Sequence, residues 1–342
     1  MNLEAAMQRA DELSIFGLGK TSPNPIVGAL IVDDAGKIIA EGFHQKNSDG
    51  SAGRHAEIVA LQEAGDRARG ATLIVTLEPC NHFGKTSPCS DAIIAAGISR
   101  VVYAIDDPHH VASGGAAKLR AAGIEVISGV CEQRVRFTNR AWLFKINNAR
   151  PYITAKVAAT LDGYIAASDG SSKWITSNSA RDDVAMLRSQ CDAIVTSTGT
   201  VLADDPLLTA RVPGVTKHPI RIVLGERTIP SSAKIMGHEA PTQIIRSRDL
   251  QKLFDFARNE GCNRLLLEAG PTLISSFLRA QLIDEMYLYQ APTLLGSGKS
   301  MVNDLGIKNL SQRIDFTLHE STVIGEGDKR NTRLHLIAKG SN

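Results

Sequence analysis

The sequence predicts an α/β protein of two domains: a three-layer α/β unit over residues 1–148 and a second α/β unit with a mixed sheet over residues 149–342. Three observations lead there. A chain of 342 residues is longer than one hydrophobic core usually serves. Helical and extended patterns alternate through its first half. After a helical stretch at 131–147, Arg150-Pro151-Tyr152 starts a new extended run, because proline pushes the residue before it out of the helical region.

The elements follow in order. An opening helix covers 3–16, with Leu3, Ala6, Met7, Ala10, Leu13 and Ile15 roughly on one side. Thr21-Ser22-Pro23-Asn24-Pro25 breaks it, since proline fits neither a helix interior nor a central strand. Ile26 to Val32, a turn at Asp33-Asp34-Ala35-Gly36, and Lys37 to Gly42 read as a hairpin. Helix His55 to Ala64, strand Ala71 to Leu77, helix Cys89 to Ala96, strand Arg100 to Ile105, helix Ala116 to Ala122 and strand Glu125 to Val130 follow. In the second half, strands are expected at 152–158, 192–197, 219–224, 242–246, 263–268, 285–291, 315–323 and 332–338. Helices at 179–190, 249–260 and 271–281 separate several of them. The last two strands have no helix between them and read as an antiparallel pair, which makes the sheet mixed.

Composition excludes several classes of function. Hydrophobic residues at 43% and charged residues at 22% are the balance of a globular protein, not of a disordered or collagenous one. A net charge of +2, from 38 basic and 36 acidic side chains, is too even for a dedicated nucleic-acid binder. Small anions such as phosphate monoesters need only one or two local arginines and stay open. Acidic residues near the start and the lack of any long apolar run argue against a signal peptide or membrane span. Five cysteines, an odd number, fit a reducing, cytoplasmic setting.

One constellation carries chemistry. His55-Ala56-Glu57 is followed, 22 residues past Glu57, by Pro79-Cys80 and then, after eight residues, by Cys89. Zinc takes imidazole nitrogen and thiolate sulfur in tetrahedral geometry, and a catalytic site keeps one position for water. His55, Cys80 and Cys89 would supply three protein ligands, with Glu57 moving protons, as in zinc nucleobase deaminases with their H-x-E and P-C motifs. His55 and Cys89 each open a helix, whose positive dipole end favours thiolate. Any one of these residues alone is better explained as a helix cap, a solvated acid or a small buried hydrophobe. Their order and the proline together favour a metal site. His82 as a fourth ligand would make the zinc purely structural.

Eight residues separate the cysteines, not the two of generic cytidine deaminases. Thr21-Ser22-Pro23-Asn24-Pro25-Ile26-Val27-Gly28, His55-Ala56-Glu57 and Pro79-Cys80-Asn81-His82-Phe83-Gly84-Lys85-Thr86-Ser87-Pro88-Cys89 resemble the pyrimidine deaminase of riboflavin biosynthesis. Arg150-Pro151-Tyr152-Ile153-Thr154, Leu161-Asp162-Gly163-Tyr164-Ile165-Ala166 and Trp174-Ile175-Thr176-Ser177 resemble the reductase half of the same family. So do Thr200-Val201-Leu202-Ala203-Asp204-Asp205-Pro206 and Leu267-Glu268-Ala269-Gly270-Pro271. The resemblance spans nearly the whole chain, and it is to the bifunctional riboflavin-biosynthesis deaminase/reductase (RibD/RibG) family. It implies a cytidine-deaminase-like first domain with one zinc ion and a dihydrofolate-reductase-like second domain using NADPH. The first would hydrolyse the 2-amino group of 2,5-diamino-6-(5-phosphoribosylamino)pyrimidin-4(3H)-one. The second would reduce 5-amino-6-(5-phosphoribosylamino)uracil to the ribitylamino product.

The resemblance also implies sites. Deaminase substrate contacts fall on Asn24, His44, His82, Lys85 and Asp107. Reductase substrate contacts fall on Ser172, Arg188, Leu208, Arg211 and Glu268, with Arg188 and Arg211 as the phosphate arginines. Cofactor contacts fall on Ala158, Trp174, Thr200, Asp204 and the run Gly270, Pro271, Thr272, Leu273, Ile274, Ser275, Ser276. Independently of the family, a glycine turn and a proline in the first helical turn leave backbone N–H groups facing an anion. Two places depart from the family: His109-His110 stand where it has asparagine and proline, and Gly225-Glu226 where it has aspartate and serine. Gly296-Ser297-Gly298-Lys299-Ser300 looks like the end of a phosphate-binding loop but has Thr293 where the motif needs glycine, so it reads as a loop near the nicotinamide. The expected partners are small phosphorylated pyrimidines, without nucleic acid or membrane, plus a second copy of the chain through the reductase domain. A zinc nucleobase deaminase with an accessory domain is the alternative.

Overall fold

The computed structural model describes residues 2–46, 53–82, 87–109, 113–215 and 217–339. The chain divides into two compact units, Met1–Asn147 and Asn148–Asn342.

In the first unit, β1 (Gly28–Val32), β2 (Ile38–Phe43), β3 (Thr72–Leu77), β4 (Arg100–Ile105) and β5 (Glu125–Ile127) form one sheet in the order β2-β1-β3-β4-β5. β1 runs antiparallel to both β2 and β3, while β3, β4 and β5 are parallel. Every residue of β1 and β3 is buried, as their mainly apolar, uncharged sequences require of strands covered on both faces. The covering helices are α1 (Leu3–Ser14), α2 (Ala56–Ala64), α3 (Cys89–Ala96), α4 (Gly115–Ala121), α5 (Glu132–Thr138) and α6 (Arg140–Asn147). Met7, Ala10 and Leu13 of α1 enter the core, the spacing expected of one helical face.

Two expectations need correction. The strand expected at Glu125 to Val130 stops at Ile127, because Gly129 takes φ of 84°, which a strand cannot continue. The helix expected at 131–147 is two helices parted at Asn139. Asn139 is 3% exposed and its Oδ1 accepts a hydrogen bond from Ile26 N at 3.2 Å, so the break serves a buried contact with the start of the hairpin.

The second unit holds β6 (Tyr152–Thr160), β7 (Tyr164–Ala166), β8 (Ala193–Ser197), β9 (Ile220–Leu224) and β10 (Thr242–Ile245). It continues with β11 (Arg264–Leu267), β12 (Glu285–Ala291), β13 (Lys299–Ser300), β14 (Phe316–Ile324) and β15 (Asn331–Ala338). Eight of these strands form a sheet ordered β10-β9-β8-β11-β6-β12-β15-β14, parallel from β10 to β12 and antiparallel thereafter, the mixed sheet expected. Its helices are α7 (Asn178–Ser189), α8 (Thr198–Asp204), α9 (Leu250–Asn259) and α10 (Pro271–Arg279). β7 pairs with β13 as a two-stranded ribbon; runs this short carry no period for a sequence to display. α8 was equally invisible. Its first residues, Thr198-Gly199-Thr200, are weak helix formers, and it relies on Ser197 Oγ accepting the Thr200 N–H at 3.1 Å.

A charged cluster is buried inside this sheet. Glu285 is fully buried; its Oε2 accepts from Arg264 Nη2 at 2.6 Å and from Thr154 Oγ1 at 2.7 Å, and its Oε1 lies 2.6 Å from His335 Nε2. Such a cluster is costly to bury but costlier to break, since removing one charge strands the other. Replacing Glu285 by alanine is expected to destabilise the second unit by about 3–5 kcal/mol. Denaturant unfolding followed by amide hydrogen exchange, resolved over the two units, checks it. The transition of residues 148–342 alone should shift to lower denaturant.

Candidate active sites

Antiparallel pairing of β1 places its first residue, Gly28, against Phe43 at the end of β2, and its N–H donates to Thr76 Oγ1 near the end of β3. The residues just before β1 and just after β2 and β3 therefore meet at one edge: Asn24, His44 and Cys80. His55 is the N-cap residue of α2, and Cys89 is the first residue of α3 with Pro88 as N-cap. His55 thus caps its helix rather than opening it.

One ligand atom from each of His55, Cys80 and Cys89 lies within 4.8 Å of the other two. His55 Nδ1 is 3.2 Å from Cys89 Sγ and 3.6 Å from Cys80 Sγ, and the Cys89 N–H donates to Cys80 Sγ at 3.4 Å. The Cys80 thiol is pushed down to about 4, chiefly by the hydrogen bond from Cys89, whose own thiol rises in return. Two sulfurs and an imidazole sharing a proton in this way are the donor set that a tetrahedral zinc ion fits, with a fourth position left over. Among the described residues His82 does not join the cluster, so the fourth-ligand alternative loses its residue.

Glu57 stands in the first turn of α2, 4% exposed. Burial pushes its carboxyl above the ordinary range, with His55 opposing. His44 is buried, its ring 5.3 Å from that of His55, and burial pushes it down to about 4. A neutral His44 donates from Nδ1 to Pro25 O at 3.1 Å, which leaves Nε2 as an acceptor. Asn24 is exposed just ahead of this contact, and Lys85 lies outside the described residues.

Asp107 follows β4, with its Oδ1 accepting the His109 N–H at 2.9 Å. The reading from sequence missed the residue that holds it. Glu78 is 7% exposed and accepts three backbone N–H groups, from Asp107 at 3.3 Å, Gly114 at 3.2 Å and Ala116 at 3.0 Å. It ties Asp107 and the start of α4 to the segment that leads from β3 to Cys80. Gly115 makes the approach possible, since a Cβ there would stand 1.8 Å from Pro79 O. An acid immediately before Pro79-Cys80 was the only signal in the sequence.

In the second unit, Glu268 follows β11 and Arg188 sits in the last turn of α7. Arg188 binds Glu268 through two bonds, Nε to Oε1 at 2.6 Å and Nη2 to Oε2 at 2.9 Å, and donates from Nη1 to Thr209 O at 3.3 Å. Its guanidinium is 12% exposed, so Arg188 spends its fork on Glu268, whereas Arg211 is exposed. Burial would raise the Glu268 carboxyl, but the charges of Arg188, Lys156 and Arg211 win and hold it below its ordinary range. Lys156 was not anticipated. Parallel pairing sets Ala155 beside Leu267, so the next residues adjoin, and Lys156 Nζ lies 3.8 Å from Glu268 Oε2. Burial lowers its ammonium, with Glu268 opposing.

The remaining expected contacts surround the same strand ends. Gly270 N donates to Thr200 Oγ1 at 3.1 Å, joining the starts of α8 and α10. Pro271 leads α10, whose first-turn amides at Thr272 and Leu273 have no partner inside the helix. Deeper in α10, Ile274 is core, Ser275 Oγ accepts the Asn303 N–H at 2.8 Å, and Ser276 donates to Thr272 O at 2.9 Å. Lys299 Nζ lies 3.8 Å from where a Cβ on Gly270 would stand, a cation beside the anion-ready turn. Trp174 is 70% exposed with the Arg181 guanidinium 4.0 Å over its ring. Asp204 is exposed at the end of α8, Ser172 is half-buried, Leu208 is buried, and Ala158 packs against Ala180, Val184 and Tyr289. At Gly225, with φ of 129°, a Cβ would stand 2.4 Å from Thr198 Oγ1, so the aspartate usual there cannot be accommodated unless Thr198 moves.

Comparison with known proteins finds matches for both units. Residues 1–105 match the cytidine and deoxycytidylate deaminase zinc-binding region, and residues 151–328 match the RibD C-terminal domain. The riboflavin biosynthesis protein RibD of Mycobacterium tuberculosis is 43% identical over 328 residues, 95% of each chain. The structure of Acinetobacter baumannii RibD (form 1) is 37% identical with a TM-score of 0.87, covering 98% of this chain and 99% of that one. A Thermotoga maritima deaminase/reductase is 33% identical with a TM-score of 0.88 over 98% of each chain. The chain belongs to the RibD family: a bifunctional enzyme of riboflavin biosynthesis whose deaminase half uses zinc and whose reductase half uses NADPH.

Proposed function

We propose that residues 1–148 form the deaminase and 149–342 the reductase, acting in turn on one phosphoribosyl pyrimidine. The first hydrolyses the 2-amino group of 2,5-diamino-6-(5-phosphoribosylamino)pyrimidin-4(3H)-one and releases ammonia. The second reduces the ribosyl group of the deaminated product to ribityl. The Thermotoga maritima relative is described as a diaminohydroxyphosphoribosylaminopyrimidine deaminase and 5-amino-6-(5-phosphoribosylamino)uracil reductase, which favours these substrates here. The observation that carries the reading is the three-donor cluster with a buried, non-ligating Glu57 beside it.

His55, Cys80 and Cys89 hold the zinc, which when bound supplies Lewis-acid activation of water. Glu57, its carboxyl raised above the ordinary range by burial, takes the proton from water and returns it to the ring nitrogen and the leaving amine. Asn24, His44, His82, Lys85 and Asp107 bind the pyrimidine and its phosphoribosyl group. In the reductase, NADPH supplies the hydride. Ala158, Trp174, Thr200, Asp204 and the Gly270–Ser276 segment hold it, with the first-turn amides and Lys299 towards its phosphates. Arg211 takes the substrate phosphate, Arg188 keeps Glu268 ionised and oriented, and Ser172 and Leu208 line the cleft. Lys156, 3.8 Å from Glu268 and with its ammonium lowered by burial, gives the proton that the reduced sugar takes up.

The same reading includes self-association through the reductase half and a cytoplasmic setting. β14 ends the large sheet, and its Leu318 and Val323 are 55% and 64% exposed. The five cysteines are all free thiols, and among the described residues no helix is long and apolar enough to cross a membrane.

Metal analysis of the purified protein should find one zinc per chain, and Cys80→Ala should lose it; zinc-free wild type with full ammonia release would sink the catalytic assignment. Glu57→Gln should keep zinc but release no ammonia, while still oxidising NADPH with pre-deaminated substrate. Arg211→Ala should remove a charge-assisted contact worth about 2 kcal/mol, raising the reductase KM roughly thirtyfold. Its rate of deamination should match wild type; loss of both activities in a folded variant would mean one shared site.

A further inference from the structure

Arg221 is a cation for which neither reaction has a use. It lies in β9 with its side chain 0% exposed. Its guanidinium donates from Nη1 to Leu207 O at 3.2 Å, and from Nη2 to Gly237 O at 2.6 Å and Ala240 O at 2.5 Å. The carboxylate paired with it, on Glu239, is 4.0 Å away and 53% exposed, and Arg221 Nε has no hydrogen-bond partner among the described residues. A buried guanidinium compensated mainly by backbone carbonyls is expensive, and an apolar side chain would pack the strand at lower cost. Its effect must therefore be sought in the loops it joins.

One of those loops runs from Asp205 to Arg211, directly after α8. Asp205 has φ of 43° and Leu208 φ of 50°, both in the left-handed region that non-glycine residues avoid. Three side-chain bonds hold that path. Asp205 Oδ1 accepts the Lys234 N–H at 2.8 Å, Arg221 holds Leu207 O, and Arg188 holds Thr209 O. Beyond the last of these the chain emerges at Arg211, which is exposed.

We infer that Arg221 is a positioning residue for substrate phosphate: by clamping the Leu207 carbonyl against the 237–240 loop it keeps Leu208 left-handed and aims Arg211 at the phosphate monoester. The inference rests on Arg211 as the phosphate contact. Lysine at 221 keeps the charge, but a single ammonium cannot span carbonyls on both loops as the guanidinium fork does. Methionine removes charge and bonds together. Neither change touches cofactor or the reacting carbon.

The experiment measures reductase kinetics with pre-deaminated substrate for wild type, R221K, R221M, R211A and R211A/R221K, with amide hydrogen exchange of residues 205–212 alongside. R221K is expected to raise substrate KM about tenfold with kcat and the NADPH KM nearly unchanged, and to weaken inhibition by inorganic phosphate similarly. Exchange in 205–212 should speed up, and the double variant should bind substrate no worse than R211A, because both changes remove one interaction. An R221K with wild-type KM beside an R211A with raised KM overturns the inference alone. An R211A with wild-type KM overturns the Arg211 assignment and the inference with it. A parallel loss of kcat, substrate KM and NADPH KM in R221K reduces Arg221 to a general structural role. R221M serves as the apolar control; if it does not fold, R221K decides.

Discussion

Parallel strands cannot be joined by tight turns, so each must pass the chain to a crossover starting at its carboxyl end. In both units the chemistry collects where these crossovers begin. β3 delivers Glu78 and Cys80, β4 delivers Asp107, β8 leads into Thr200 through α8, and β11 ends at Glu268 before α10. The antiparallel β1 and β2 add to the same edge from the other direction, which is how Asn24 and His44 arrive.

A loop at a strand end has few backbone partners of its own and must be fastened. The two units use the same device with opposite charge. Glu78, a buried anion, accepts three amides, at Asp107 and at the start of α4. Arg221, a buried cation, donates to three carbonyls in the loops around 207 and 237–240. Each charge is met mainly by peptide dipoles, which fasten the chain without using the side chains of the segments they hold.

The two central carboxylates show how burial and neighbours compete. Glu57 and Glu268 are comparably buried, yet their affinities for a proton move apart. Glu57 has one opposing cation, His55, and sulfurs near it, so burial prevails and the carboxyl rises. Glu268 faces Arg188, Lys156 and Arg211, so it falls. Proton transfer needs the first condition, and a fixed charge that orients other groups needs the second.

The sequence by itself determined the His55, Cys80 and Cys89 donor set, the alternation of elements and the anion-ready turn at Gly270-Pro271. These rest on local facts: ligand chemistry, hydrophobic period and the conformations open to proline and glycine. Lys156, Glu78 and Arg221 acquire their partners only in three dimensions. Lys156 is set beside Glu268 by strand register, and Glu78 acts on amides 29 to 38 residues away. Arg188 is the sharpest case. Its phosphate contact is what the family resemblance implies; that its guanidinium lies on Glu268, 80 residues distant, is a fact of the fold. Only the tertiary structure could decide that, because a side chain's partner is chosen by what the packed chain brings within about 3 Å.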